Sequence, residues 1–343
     1  MSAVNERRTR AWTHIGVALV ASQLTACGID QGGVAPPQVV SQNTVLSGPI
    51  TGFGSVIVNG VTLDTSRAQI RIDGRSGAQD ELRVGQVIRA IVTSDRGTTT
   101  VLIEYEENVV GPVGAIDVGS GTFTVLGQVV TTSAATQFDA AQQLAALTDL
   151  HTGDRVVVSG LVAPSGRIFA TYVGRAPASV PFQVTAPITA LDVPSLTFEL
   201  GDLAIDYSRA AVVELGGGQP QLNTFVEVTG TSVVDGELVA ERVRSLPTVP
   251  WLFTAASTTE SVAASPSFGA VTTPATRNVN FVGFITAGIA AGTIALGDVG
   301  VSIGGSTVIV DGSSANLVAG ARVQVEGQIV SPGRIQATRI SVL

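Results

Sequence analysis

The sequence has little with which to do chemistry. One cysteine in 343 residues excludes an internal disulfide and any cysteine-cluster metal site. Lysine is absent, so all 19 basic residues are arginine, and the histidines are His14 and His151 alone. Charged residues make up 13% of the chain and aromatics 5%, too few for a basic groove interleaved with stacking rings. The formal net charge of −8 repels phosphate backbones and anionic lipid surfaces, so no nucleic-acid partner is expected.

What remains is a β-forming composition. Hydrophobic residues reach 45%, valine and threonine are frequent, and 39 glycines punctuate them, which predicts many short strands and tight turns. The length implies several domains rather than one.

The amino terminus reads as an export signal. Arg7, Arg8 and Arg10 precede the apolar run Ile15–Ala21, and small residues follow. That run is too short to span a bilayer stably. Leu24-Thr25-Ala26-Cys27 resembles the bacterial lipobox, which predicts recognition at Leu24, Thr25 and Ala26, cleavage before Cys27 and acylation of its sulfur. At about 0.8 kcal/mol per buried methylene, two or three acyl chains would give an almost permanent membrane anchor. The alternative is an ordinary signal peptide whose cysteine is incidental. Gly28, where an aspartate would resemble an inner-membrane retention signal, favours the outer membrane if there is one. The expected order is a signal peptide over 1–26 and a lipidated flexible tether over 27–47.

Beyond the tether the chain repeats itself. Gly48-Pro49-Ile50-Thr51, Gly111-Pro112-Val113-Gly114, Ala186-Pro187-Ile188-Thr189 and Gly283-Phe284-Ile285-Thr286 open four similar segments. Asn59-Gly60 suits a type I′ hairpin turn, and Leu126-Gly127, Leu200-Gly201 and Leu296-Gly297 hold the matching places. Leu150, Gly153, Val156, Val158 and Gly160 recur at identical spacing as Leu317, Gly320, Val323, Val325 and Gly327. The third copy offers Leu222, Val226, Val228 and Gly230, one residue short, and the first lacks the last glycine. Residues 138–147 of the second copy favour a helix with Phe138, Ala141 and Leu144 on one face. Three strands, a short helix and two strands are the element order of the oligonucleotide/oligosaccharide-binding (OB) barrel. The expectation is therefore an all-β chain of tandem small OB-like modules over 48–108, 109–176, 183–246 and 281–343, with a Ser/Thr/Pro-rich linker or loop over 247–280. Within that linker, Trp251-Leu252-Phe253 could dock on a module or extend a sheet.

The run Ile50-Thr51-Gly52-Phe53-Gly54-Ser55-Val56-Ile57-Val58-Asn59-Gly60, with the later Leu-x-x-Gly-x-x-Val-x-Val-x-Gly pattern, resembles the bacterial domain-of-unknown-function family 5666, most clearly in copies one and two. The resemblance implies an envelope lipoprotein of repeated β-domains and supplies no reaction or active-site residue.

No catalytic constellation emerges. His151 falls on a variable loop position, matched to Arg83, Asn223 and Val318, without a nucleophile elbow. Glu104-Tyr105-Glu106-Glu107 reads as a solvated strand end rather than a cation site, since no Asp-rich loop accompanies it. Asp64-Thr65-Ser66-Arg67 and Asp206-Tyr207-Ser208-Arg209 recur, and Asp64, Arg67, Asp206 and Arg209 form either a polar recognition edge or side-chain-capped turns. The resulting expectation is a non-catalytic, lipid-anchored envelope protein without cofactor or metal, partnered by the membrane and by an envelope protein or glycan. The competing readings are a carbohydrate-active enzyme using two carboxylates and, less favoured by the charge, a binder of single-stranded nucleic acid.

Overall fold

The computed structural model describes residues 43–343 except 94–98, 164, 214, 216–217, 235, 247–275, 298 and 332. The leader, Cys27 and most of the tether lie outside these residues, as do Trp251-Leu252-Phe253 and most of the linker. The described chain is all-β, with short 3-10 turns as its helical elements. Strand begins at Asn43–Gly52 and Thr276–Phe284, each five residues ahead of the expected module starts at 48 and 281.

Each repeat closes the same pairing circuit. In the second, Val109–Asp117 pairs antiparallel with Thr122–Val125, which pairs with Gln128–Thr131. Arg155–Val162 lies antiparallel to the first strand, Ile168–Arg175 lies antiparallel to Arg155–Val162, and the circuit closes in parallel at Val130–Ile168. The equivalent parallel closures are Asp64–Thr99, Ile205–Leu238 and Val301–Ile335. Alternation of buried and half-buried residues along these strands follows from period-two side-chain geometry, as in Val156, Val158 and Val323, Val325.

The repeated glycines have two distinct causes. Gly85, Gly153 and Gly320 adopt φ of 92°, 91° and 86°, where a Cβ is strained. Their N–H groups donate to the carbonyls of Ile50, Val113 and Ile285, each at 2.8 Å, clasping the loop to the first strand. In the third repeat Asn223, at φ 63°, donates to Ile188 at 2.9 Å and does the same work. This corrects the alignment read from sequence. Pro220, not Leu222, takes the buried place of Leu82, Leu150 and Leu317, and Leu222 is 55% exposed. In the second set, Gly160 and Gly327 sit at register shifts between the fourth and fifth strands and Gly230 at a break in the same pairing. An added Cβ would lie 2.3–2.4 Å from the carbonyl oxygens of Phe169, Val239 and Gln336. The first repeat keeps the irregularity, between Ile91 and Val92.

Two further expectations change. Asn59-Gly60 and Leu126-Gly127 have positive φ at both turn positions, but in the third and fourth repeats the turn starts on Gly201 and Gly297, one residue later than the Leu-Gly pairs suggest. The helical piece of the second repeat is two 3-10 turns, Ala140–Gln142 and Leu147–Asp149, rather than one α-helix. Gln143 at φ 58° breaks it, which buries Leu144 and leaves Ala141 exposed.

The repeats are fused rather than strung. The first strand of repeat one runs parallel to that of repeat four, Val45 opposite Val279 and Ser47 opposite Phe281. The first strands of repeats two and three pair antiparallel at Val109–Val184. One apolar core spans repeats two and three from Val109 to Val243. Another joins Val45, Ile91 and Leu102 of repeat one to Val279, Val301 and Val325 of repeat four. A fully buried aliphatic side chain contributes about 1.5–3 kcal/mol, so each seam belongs to the core energetics of the fold. Polar groups fix the seams: Gln128 Nε2 donates to Leu200 O at 2.6 Å, and Asn59 Nδ2 to Asn280 Oδ1 at 3.2 Å. Repeats one, two and four meet where the Phe169 and Phe284 rings lie 4.9 Å apart.

Candidate functional site

Where repeat one abuts repeat two, the surface opens into a groove of about 830 Å³. Phe53, in the first hairpin loop of repeat one, contributes one aromatic wall and is 42% exposed. The 3-10 turn Gln79–Glu81 and the residue Arg83 supply polar groups from the same repeat. The opposite wall is Gln137, Phe138 and Asp139, backed by the buried Tyr172.

The polar side chains are held in place. Tyr172 Oη donates to Asp139 Oδ2 at 2.9 Å, and the Ala141 N–H donates to Asp139 Oδ1 at 3.1 Å. Burial, and then the bond to Asp139, push the Tyr172 hydroxyl well above the ordinary tyrosine range, so it stays a protonated donor. Arg83 Nη1 donates to its neighbours' carbonyls, Asp80 O and, at 2.9 Å, Leu82 O. Under the groove, Gly85 permits the two repeats to touch: a Cβ there would lie 2.3 Å from Thr171 O. Val87 N–H donating to Ser159 Oγ at 2.9 Å completes the junction.

The recurring Asp-Arg segments do not line this groove. The Ser66 N–H donates to Asp64 Oδ1 at 3.0 Å and that of Ser208 to Asp206 Oδ1 at 2.8 Å, so both are capped turns. Hydrogen bonds from Ser66 and Ser208 lower the two carboxyls, with Arg67 and Arg209 contributing least. Arg67 and Arg209 are exposed. The first turn does brace the groove, because Thr65 Oγ1 donates to Gln79 Oε1. His151 is 79% exposed at its side chain, and its Nδ1 lies 3.8 Å from Asp154, which Arg175 also pairs at 3.0 Å. With Asn223 at the place of Gly153, His151 corresponds to Gln221 rather than Asn223.

The acidic run is not a solvated strand end. Tyr105 is buried, Glu104 pairs with Arg71 at 3.7 Å and with Arg89, and Glu106 pairs with Arg244 of repeat three at 3.1 Å. Arg244 also holds Glu227 at 2.6 Å. Nearby, partial desolvation of an otherwise exposed side chain raises the Asp73 carboxyl to about 7, helped by the negative charges of Glu106 and Glu227 and opposed by Arg75. Among the described residues no group of three or more His, Cys, Asp or Glu is arranged to hold a metal ion. No helix among them is long and apolar enough to cross a membrane, which says nothing of strands.

Sequence reading missed the groove. Phe53 was visible as a ring between two glycines in an aromatic-poor chain, but its partners lie some 80 to 120 residues away, at Gln137–Asp139 and Tyr172.

Comparison with known proteins gives one family. The family described as Domain of unknown function (DUF5666) matches residues 110–174, 185–244 and 282–341, more than half the chain. The first repeat lies outside these matches, although its Ile50–Gly60 run carries the same resemblance. No curated protein matches. A solved structure, drosophila Unr CSD456, is similar over 68% of this chain and 96% of that one at 12% identity, with a TM-score of 0.16, too low to support an argument.

Proposed function

The chain belongs to the DUF5666 family, a domain of unknown function, and from that premise we propose a non-catalytic, lipid-anchored protein of the cell envelope. Its four modules are OB-like in this reading. The circuit of first, second, third, fifth, fourth and again first strand, closed by one parallel pair, supports that assignment. The observation that carries the binding role is the groove walled by two different repeats, which a string of independent spacers would have no reason to build. Leu24-Thr25-Ala26-Cys27 supports the anchor. The partner in this reading is an envelope protein or glycan.

Metabolic labelling with a fatty acid and fractionation of the envelope test the anchor. Wild type is expected in the membrane fraction, outer membrane where there is one, and Cys27→Ala is expected to lose label and membrane retention. A labelled Cys27→Ala, or unlabelled wild type in the cytosol with its leader intact, contradicts the proposal. A pull-down from envelope membranes with the lipidated form tests the partner.

The enzyme reading needs an acid that stays protonated near neutral pH. Desolvation and the charges of Glu106 and Glu227 raise the Asp73 carboxyl to about 7. Asp73 is exposed, however, where water screens those charges, and that weakens it as a general acid. Its acidic neighbours Glu106 and Glu227 are both engaged by Arg244, which leaves them poorly suited to act as a free second carboxylate. Polysaccharide turnover abolished by Asp73→Asn would establish the enzyme and refute the non-catalytic reading.

A further inference from the structure

We propose that the groove between repeats one and two is a saccharide site that takes a neutral glycan chain. The proposal deepens the binding role above by naming the site and the ligand class.

Three features of the groove select this chemistry. At about 830 Å³ it is wide enough for a small ligand and open rather than enclosed, a shape that accepts a segment of a longer chain. Its walls combine ring faces with short planar polar groups. Phe53, and the part of Phe138 left free by its packing on the core, contribute apolar surface for the C–H face of a pyranose, while Gln79 and Gln137 each carry both donors and acceptors. Sugar hydroxyls also donate and accept, so amides meet both needs at once. Thr65 already donates to Gln79 Oε1, and Gln137 Nε2 donates to Ala135 O at 3.3 Å. Each amide is thus held in place with its other polar atom left to meet a hydroxyl, which an apolar ligand would desolvate without replacement.

Charge decides against the alternatives. Asp80 and Asp139 outnumber Arg83 in the lining, and Arg83 already donates to two backbone carbonyls. Asp139 is fixed by Tyr172 and Ala141 and still has acceptor capacity for a hydroxyl, since a carboxylate offers about four lone-pair positions. A net negative groove on a chain of net charge −8 repels phosphodiesters, sulfated polymers and anionic lipid headgroups. A neutral, hydroxyl-rich chain meets no such barrier.

Phe53 has a further property that suits it to this role. A large apolar side chain 42% exposed at a groove wall contributes little to the fold, and it belongs to none of the core clusters.

The test is calorimetric titration of the full chain in detergent with chitin-derived oligosaccharides and with cello-oligosaccharides, and with dextran sulfate and oligothymidylate as anionic probes. Saturable binding to at least one neutral oligosaccharide is expected. Phe53→Ala is expected to weaken it about tenfold, the order of one lost aromatic contact, while Phe53→Trp keeps it. The urea midpoint of Phe53→Ala is expected to match wild type, which separates a lost site from a lost fold. Absence of binding to both neutral probes, equal binding by wild type and Phe53→Ala, or preference for an anionic probe overturns the proposal. Membrane fractionation of the same protein is independent of these outcomes, so failure of the saccharide site and failure of the envelope reading are distinguishable.

Discussion

The Arg244 guanidinium of the third repeat lies 3.1 Å from the Glu106 carboxylate at the end of the first, so one ion pair joins repeats whose sequences are separated by the whole of the second. Arg244 also pairs with Glu227, whose side chain is 8% exposed. Burial raises the Glu227 carboxyl, and Arg244 opposes it. Removing the guanidinium by Arg244→Met therefore strands a buried carboxylate. The expected cost is about 3 kcal/mol in urea unfolding at neutral pH, with much of it recovered in Arg244→Met/Glu227→Gln. Equal stability of the single variant and wild type would count against the pairing.

Asp73 sets a pH dependence. Its folded pKa of about 7 exceeds the unfolded value of 3.8, so between those limits the folded state binds more protons than the unfolded one. Stability from this group is thus full at the acid end and declines as pH rises toward 7; Glu227, also raised, acts in the same direction. Asp73 is exposed on one side, where water screens its neighbours, so the slope is expected to be shallow. Asn at this position, which also tolerates the φ of 49°, should flatten it. Urea midpoints taken across this range check the sign. A rise in stability toward neutral pH that Asp73→Asn leaves unchanged would contradict it.

The clasp loops make a paired prediction. Gly153→Ala and Gly320→Ala force a Cβ into the left-handed region and should each cost about 1–2 kcal/mol. Asn223→Gly should be neutral or slightly stabilising, and Asn223→Val should cost at least as much as the alanines. Thermal or urea unfolding of the four variants separates this account from one in which the third loop is built differently.

Gln128 tests the seam between repeats two and three. It is 3% exposed, and its Nε2 donates to Leu200 O at 2.6 Å and Leu126 O at 3.2 Å. Gln128→Leu leaves those carbonyls without this donor and should cost about 1–3 kcal/mol, measured by urea unfolding. A neutral or stabilising effect would show that the seam is weaker than described.

The repeats and their strands were legible because each depends on local spacing. Val323 and Val325 alternate with the polar Arg322, Gln324 and Glu326, and Gly153 and Gly320 mark a fixed backbone conformation. Legibility failed where different residues do the same work. Asn223 replaces a glycine and Pro220 a leucine, so a match by residue type chose the exposed Leu222 instead. Pairing between repeats was also hidden, because nothing about Val45 or Val279 specifies that their strands lie side by side across more than 200 residues. The groove inherits that difficulty. Its residues converge only through the packing of two repeats, and Arg83 and Asp139 look like ordinary loop residues until that packing is known.

The central structural claim is that the repeats are fused rather than strung, and native-state hydrogen exchange at the seam of repeats one and four tests it most directly. The Val45, Ser47 and Val279 amides lie on the strands that join repeats one and four. They are expected to exchange only through global opening, as slowly as those of Val323 and Val325 within the fourth repeat. Fast exchange at Val45, Ser47 and Val279 alongside slow exchange at Val323 and Val325 would mean that repeats one and four move independently, and the fused arrangement would be contradicted at that seam.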